Sequence, residues 1–438
     1  MSVFKIFDFS LKVNGFAIDE AKLDFKHILE VPEEDYEAYI LQKKKEIVDF
    51  HLQNNAFYQK LANGKNVDNW YNLPVLTKKD LQKPLSERFS KGYFEKSVFV
   101  NKTSGSSGHP FIFAKDKYCH ALTWASIIYR FGWFGIDFNT SYQARFYGIP
   151  LGFIGNKKER LKDFLGRRYR FPIFDLSDAF LEEVLLKFKK AKFDHINGYT
   201  SSIVLFAKFL KRKNIVLKDV CPTLKACFVT SEMLFAEDKI VLQKQFGIEI
   251  INEYGASELD LIAFENKNGE WQVNSETLFV EILDDNNQPV ENGKEGKIVI
   301  TSLYNKAHPF IRYEIGDIGI LDEKSTTKKP ILKQLIGRTN DVALLPSGKK
   351  SPGLTFYYVT KSIIEDDGNV REFVIKQQKI DTFEVEYVSE IALCEQQILK
   401  IEDAISLYLE PNLKFTFIRK AVLERTSRGK LKQFSSYL

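Results

Sequence analysis

Apolar and polar positions alternate along this chain with two different periods, and the change of period marks out its parts. From Pro32 to about Ala62 the run PEEDYEAYILQKKKEIVDFHLQNNAFYQKLA combines helix formers, an early proline and acids in the first turn. Those features predict a helix start and a long helical segment. In NLPVLTKKDLQKPL, residues 72–85, Thr77 stands before Lys78, Lys79 and Asp80 as an N-cap that predicts a second helix.

Around 97–114 the pattern is strand-like (SVFVN), then small and polar (KTSGSSGH), then strand-like again (PFIFAK), which predicts two strands joined by a glycine-serine loop. Helical runs at 201–214 and 236–247 then alternate with the short apolar segments HINGY, LKACFVTSE and IEIINEYG. Such alternation predicts α/β layers around a largely parallel sheet. From Leu261 to Tyr304 strands and turns take over, predicting a β-rich lobe. Beyond Gly337-Arg338-Thr339-Asn340-Asp341 come EFVIKQQ, TFEVEYVS, the helical CEQQILKIEDAISLYL and the strand-like LKFTFIRKAVLE, a small α+β domain of roughly a hundred residues.

Composition narrows the functional classes. The 438 residues exceed what one hydrophobic core usually supports, and 44% hydrophobic with 28% charged residues is ordinary for a folded chain. The net charge of +5, from 63 basic and 58 acidic residues, is small and dispersed, giving no warrant for a nucleic-acid partner. Cys119, Cys221, Cys227 and Cys394 lie far apart without metal-ligand spacing, and the six histidines do not cluster with them. No apolar run approaches the roughly 18 residues of a membrane span, and the N-terminus lacks a signal-peptide pattern. The expectation is a cytoplasmic protein with no membrane or nucleic-acid partner.

Five segments offer chemistry. Thr103-Ser104-Gly105-Ser106-Ser107-Gly108 presents successive unobstructed N–H groups and hydroxyls, as a phosphate cradle requires, without a Walker lysine. Asn252-Glu253-Tyr254-Gly255-Ala256-Ser257-Glu258 ends a strand with a ring able to stack on a base, a glycine for close approach, a hydroxyl and a carboxylate able to hold magnesium. Arg312 to Asp317 ends in a carboxylate that can accept both hydroxyls of a ribose. Arg338 can reach phosphate, and the residues after it can hinge. Lys430, in RTSRGKLK, can carry a mobile positive charge into a cleft.

In this order and spacing, the five segments resemble the core motifs of the acyl-adenylate-forming superfamily, over residues from about 70 to the end. LPVLTKKDL, TSGSSGHP, VTSEML, NEYGASE, HPFIRYEIGD and IGRTND are similar to the phenylacetate:CoA ligase branch and its CapK-type capsular-polysaccharide relatives. The resemblance implies an α/β fold, with a large adenylation domain over 1–336 and a small C-terminal α+β domain over 342–438. The hinge would lie within 337–341, at Asp341.

It implies ATP and Mg2+ as cofactors, a small-molecule carboxylic acid as substrate, and CoA or an amine as acceptor, in a monomer or homodimer. Thr103 to Gly108 would embrace the β- and γ-phosphates. Ser231 and Glu232 would line the nucleotide pocket, together with Asn252 and Gly255, and Tyr254 would flank the adenine. Ser257 would touch the α-phosphate, Glu258 the magnesium, Asp317 the ribose and Arg338 the ribose or phosphate edge, with Lys430 as the catalytic lysine. The acyl pocket would draw on Tyr147, Gly148, Asn197, Gly198 and Tyr199, which leave an aryl acetate, a sugar-linked acid and an amino acid open. LIAFENKNGEW lacks the cysteine that some relatives use for zinc, so no zinc is expected. Two other outcomes are consistent with the motifs: an adenylyltransferase ending at an AMP-bearing product, and a noncatalytic nucleotide- or acyl-binding scaffold.

Overall fold

The structure, a computed structural model, describes residues 5–103, 111–147, 160, 162–164, 166–173, 176–338, 342–348, 350–352, 370–408, 410–425 and 431–438. The chain divides into two compact units. One comprises residues 1–315 and 320–333, the other 316–319 and 334–438.

The first unit is built on a seven-stranded sheet, counted over the described residues, of order β4-β3-β5-β6-β7-β8-β9. Its strands are β3 (Gln143–Phe146), β4 (Arg168–Phe171), β5 (His195–Tyr199), β6 (Ala226–Thr230), β7 (Glu249–Ala256), β8 (Asp260–Glu265) and β9 (Trp271–Val273). The pairings from β4 to β7 are parallel, because each crossover runs through a helix, and β7-β8-β9 close antiparallel. The β-rich stretch expected from Leu261 is therefore divided. Its first strands extend the parallel sheet, while β10 (Leu278–Leu283) and β11 (Glu295–Ser302) belong to a separate sheet of order β10-β11-β12-β13 with β12 (Tyr313–Leu321) and β13 (Leu332–Arg338). Sequence alternation alone does not say which edge a hairpin joins.

One face of the parallel sheet is buried under the helices Asp178–Lys190, Thr200–Arg212 and Ala236–Phe246, through Phe146, Ile196, Cys227, Val229 and Ile250. The opposite face packs Phe228, Ile251 and Phe264 against Phe131 and Phe134 at the end of the helix Lys117–Gly132. Gly247 ends the helix Ala236–Phe246 at a φ of 66°, the left-handed conformation that glycine adopts without a Cβ penalty. The predicted N-terminal helix is two helices, Glu33–Asn54 and Ala56–Ala62, interrupted at Asn55, whose side chain caps the second by accepting from Tyr58 N–H.

At Thr77 the expected cap forms but no helix follows. Thr77 Oγ1 accepts from Asp80 N–H at 3.4 Å, and the Asp80 carboxylate in turn accepts from Thr77 N–H at 2.8 Å and Thr77 Oγ1 at 2.7 Å. The turn does not propagate before Pro84, because a cap satisfies orphan N–H groups without supplying the packing that stabilises a short helix. What holds this segment is tertiary: Leu76 N–H donates to Arg312 O and Glu314 N–H to Leu76 O.

In the second unit, β16 (Val370–Lys379) and β17 (Thr382–Ser389) form an antiparallel pair flanked by β18 (Lys414–Arg419) and β19 (Phe434–Ser436), each joined in parallel. The helix Glu395–Tyr408 covers this sheet through Ile401 and Ile405 against Phe373, Ile375, Phe383 and Val385. A hairpin of β14 (Val342–Leu344) and β15 (Lys350–Pro352) adds Ala343 to the same core.

Candidate active site

The glycine-serine loop springs from an antiparallel hairpin, β1 (Phe99–Lys102) with β2 (Ile112–Lys115). Its two ends are tied together: Thr103 N–H donates to Phe111 O at 2.9 Å, and Phe111 N–H donates to Thr103 Oγ1 at 3.1 Å. Ser104, Gly105, Ser106, Ser107 and Gly108 lie outside the described residues, as do Gly148, Asp341 and Lys430.

Three sequence segments that are remote along the chain meet at this loop base. Phe111 stacks on Tyr313 with ring centroids 6.5 Å apart, and Tyr313 Oη donates to Glu258 Oε1 at 3.0 Å in a buried bond. Glu258 is 6% exposed and occupies the turn after β7 beside the exposed Ser257. The turn is fastened from the hairpin side as well, by an ion pair between Lys115 and Asp260. Asp260 holds a φ of 57°, Ser231 one of 71° and Arg312 one of 47°. Left-handed backbone at non-glycine residues is costly and persists only where surroundings enforce it.

Arg312 shows how it is enforced. Its guanidinium is fully buried and donates to the carbonyls of Tyr71 at 2.9 Å, Leu73 at 3.0 Å and Asn287 at 3.1 Å, with Glu281 3.5 Å away. Arg312 thus clamps the chain before Leu76 onto the start of β12. Asp317, on β12, is 6% exposed. Arg338 ends β13.

Other nominated residues have defined partners. Asn252 is held through its backbone, donating N–H to Glu265 at 2.9 Å and accepting from Trp271 Nε1 at 3.1 Å. Tyr254 is buried, its ring 6.3 Å from that of Trp271 and inclined at 30°. Glu232 accepts from Ser201 N–H at 2.7 Å, so its carboxylate caps the helix that follows β5. Ser231 is exposed just past β6.

Of the acyl-pocket nominees, Tyr147, Asn197, Gly198 and Tyr199 lie at the C-terminal ends of the parallel strands, where open α/β sheets bind ligands. Tyr147 Oη donates to Asn197 Oδ1 at 3.0 Å, and the rings of Tyr147 and Tyr199 meet edge to face at 4.8 Å. Burial pushes the Tyr147 phenol up. Gly198 is required by close approach: a Cβ there would collide with the backbone of Phe146 on the adjacent strand. Three residues that the motifs did not single out share this end of the sheet, namely Arg145, Thr230 and Glu253. The signal available for Glu253 was a charge breaking an apolar strand; Tyr313 and Lys115 carried no signal of their own.

Among the described residues, no group of three or more His, Cys, Asp or Glu is arranged to hold a metal, and no helix is long and apolar enough to cross a membrane.

No family model matches the chain. Among solved structures it is similar to 2-hydroxyisobutyryl-CoA ligase in the postadenylation state, in complex with 2-HIB-AMP, with a TM-score of 0.66 at 16% identity over 90% of this chain and 88% of that one. The amide bond synthetase McbA from Marinactinospora thermotolerans gives 0.54 at 14% identity, over 77% and 68%. These neighbours show that the chain has the fold of adenylate-forming ligases. Over 406 residues it is 26% identical to Protein CapK of Staphylococcus aureus, covering 86% of this chain and 85% of that protein. A shorter match, 24% over 217 residues, is to phenylacetate-coenzyme A ligase of Thermus thermophilus, covering 43% of this chain and 48% of that enzyme.

Proposed function

We propose that this protein activates a carboxylic acid with ATP. A carboxylate oxygen attacks the α-phosphorus, the bond from that phosphorus to the bridging oxygen of the β-phosphate breaks, and pyrophosphate leaves. The acyl carbon of the resulting acyl-AMP is then attacked by the thiol of CoA or by an amine, which loses a proton as AMP departs. The observation that carries this reading is the chain of contacts from Phe111 through Tyr313 to Glu258, which sets the base of the Ser/Gly loop beside a buried carboxylate.

Most of the task is placement and charge stabilisation. Thr103 to Gly108 present N–H and hydroxyl groups to the β- and γ-phosphates, and Ser257 reaches the α-phosphate. Ser231, Glu232, Asn252, Tyr254 and Gly255 line the nucleotide pocket, Asp317 holds the ribose hydroxyls, and Arg338 reaches the ribose or phosphate edge. Tyr313 donates to Glu258 Oε1 and orients the carboxylate. Magnesium fits this donor, and when bound it would neutralise phosphate charge. Lys430 supplies positive charge for adenylation, in a C-terminal domain that turns about Asp341. Tyr147, Gly148, Asn197, Gly198 and Tyr199 form the acyl pocket.

The similarity to CapK along most of the chain supports a role in surface polysaccharide biosynthesis, and the CoA ligase relatives support CoA as acceptor. The test is pyrophosphate release measured with and without magnesium across a panel of carboxylic and amino acids. Release that requires both magnesium and an acid supports the reading. ATP hydrolysis unchanged by any acid overturns it.

A further inference from the structure

Strand register lines up the side chains of one sheet face in transverse rows. One row of the central sheet reads Arg170, Arg145, Asn197, Phe228 and Ile251 across β4, β3, β5, β6 and β7. It sets two arginines directly opposite each other on adjacent strands, and like charges so placed are destabilising unless they are neutralised. Arg170 is neutralised. Asp163, 2% exposed, accepts from Arg170 Nε at 2.9 Å and from Arg170 Nη2 at 3.0 Å, and it pairs with Arg168 at 2.9 Å as well.

Among the described residues, no carboxylate pairs with Arg145. Its guanidinium lies over the Tyr147 ring, 4.5 Å from the centroid, a contact that occupies the flat face and consumes none of the N–H donors in the plane. Its Nε is buried without an acceptor. The two carboxylates nearby are engaged elsewhere: Asp163 with Arg168 and Arg170, and Glu253 with hydrogen bonds from Asn197 and Thr230. A desolvated donor left open is costly. What Arg145 lacks is an acceptor, and a carboxylate supplies one with the charge and the two-pronged shape that match a guanidinium.

The place of Arg145 in the sheet indicates which molecule carries that acceptor. Arg145 touches Tyr147 of the proposed acyl pocket, whereas Ser257 and Glu258 follow β7, three strands from β3. Three strand spacings amount to about 14 Å, and an arginine side chain covers only part of that span. A carboxylate reacting at the α-phosphate beside Ser257 and an anion held by Arg145 are therefore separate groups. We propose that Arg145 determines acid specificity by pairing with a second carboxylate at the far end of the substrate, so that the acid activated is a dicarboxylic acid. This rests on the acyl-AMP reading above.

The experiment uses the full-length protein and acids paired by length: adipate with hexanoate, suberate with octanoate, and sebacate with decanoate. Two readouts are taken, kcat/KM for pyrophosphate release and the dissociation constant of each acid by titration calorimetry without ATP. In at least one pair the parent should favour the dicarboxylate by on the order of 10²-fold or more. Arg145→Met, which keeps an apolar stem, should erase that preference while leaving kcat/KM for the monocarboxylates and the KM for ATP unchanged, a split that general loss of structure would not produce. Arg145→Lys keeps the charge without the fork and should retain part of the preference.

A parent that prefers the monocarboxylate at all three lengths overturns the proposal whether or not either variant folds, and so does an Arg145→Met protein that slows every acid equally. Preferential binding of a dicarboxylate without acid-dependent pyrophosphate release is a different result: it removes the ligase reading and leaves the anion site at Arg145 standing. Absence of both removes the two together.

Discussion

Gly255 lies in β7 at a register shift opposite Leu261, three residues before Glu258. A Cβ built there would stand inside 3.0 Å of the Asp260 carbonyl oxygen and 3.3 Å from its carbon, where ordinary contact begins at 3.4 Å. Backbone is the obstacle, so no side chain can swing away. The Asp260 peptide is also held in left-handed conformation and its carboxylate is paired with Lys115, which limits the direction in which it can yield. The turn carrying Ser257 and Glu258 must therefore move by a substantial fraction of an ångström.

Forced overpacking costs about 1–3 kcal/mol of stability, and a misplacement of about 1 Å at reacting groups costs on the order of 10² in rate. Gly255→Ala should accordingly lower the urea unfolding free energy by that amount and lower kcat/KM for pyrophosphate release by about two orders of magnitude. The control is Gly132→Ala, at a helix end where nothing lies within 4 Å; it should be neutral or stabilising by up to about 1 kcal/mol. If Gly255→Ala matches the parent in both stability and rate, the turn is not the rigid element described here.

Arg312→Met should destabilise by about 3–5 kcal/mol, since it strands Glu281 and three backbone carbonyls in the interior; chemical denaturation at fixed pH measures this. The Glu253 carboxyl is raised from about 4.5 to about 7, so its stabilising effect is complete below pH 4.5 and is lost as pH rises through 7. The parent should lose up to about 3 kcal/mol across that window relative to Glu253→Gln, and parallel urea titrations with equal slopes would refute it. Lys430→Ala should slow adenylate formation by on the order of 10² to 10³ yet spare acyl transfer from chemically made acyl-AMP; equal loss of both steps would remove the idea of a lysine delivered for the first step only.

The sequence by itself determined what depends on near neighbours. Period and length announced the helices Thr200–Arg212 and Ala236–Phe246 and the strands β5, β6 and β7. Glycine and serine between two strand-like runs announced a loop on a hairpin, which β1 and β2 form. The same local reasoning overreached at Thr77, where the cap is present without a helix, and at Leu261, where strands taken as a separate lobe extend the parallel sheet.

Only the tertiary structure decided which groups meet. Lys115 with Asp260 spans 145 residues of chain, Tyr313 with Glu258 spans 55, and Arg312 with Tyr71 spans 241. Each contact is set by how crossovers stack strands and by which edge a hairpin joins, and neither leaves a trace in local periodicity. The same holds for the proposed acyl pocket. Tyr147, Asn197 and Tyr199 were named through the family resemblance, but Arg145, Thr230 and Glu253 join them only because parallel register aligns the ends of β3, β5, β6 and β7.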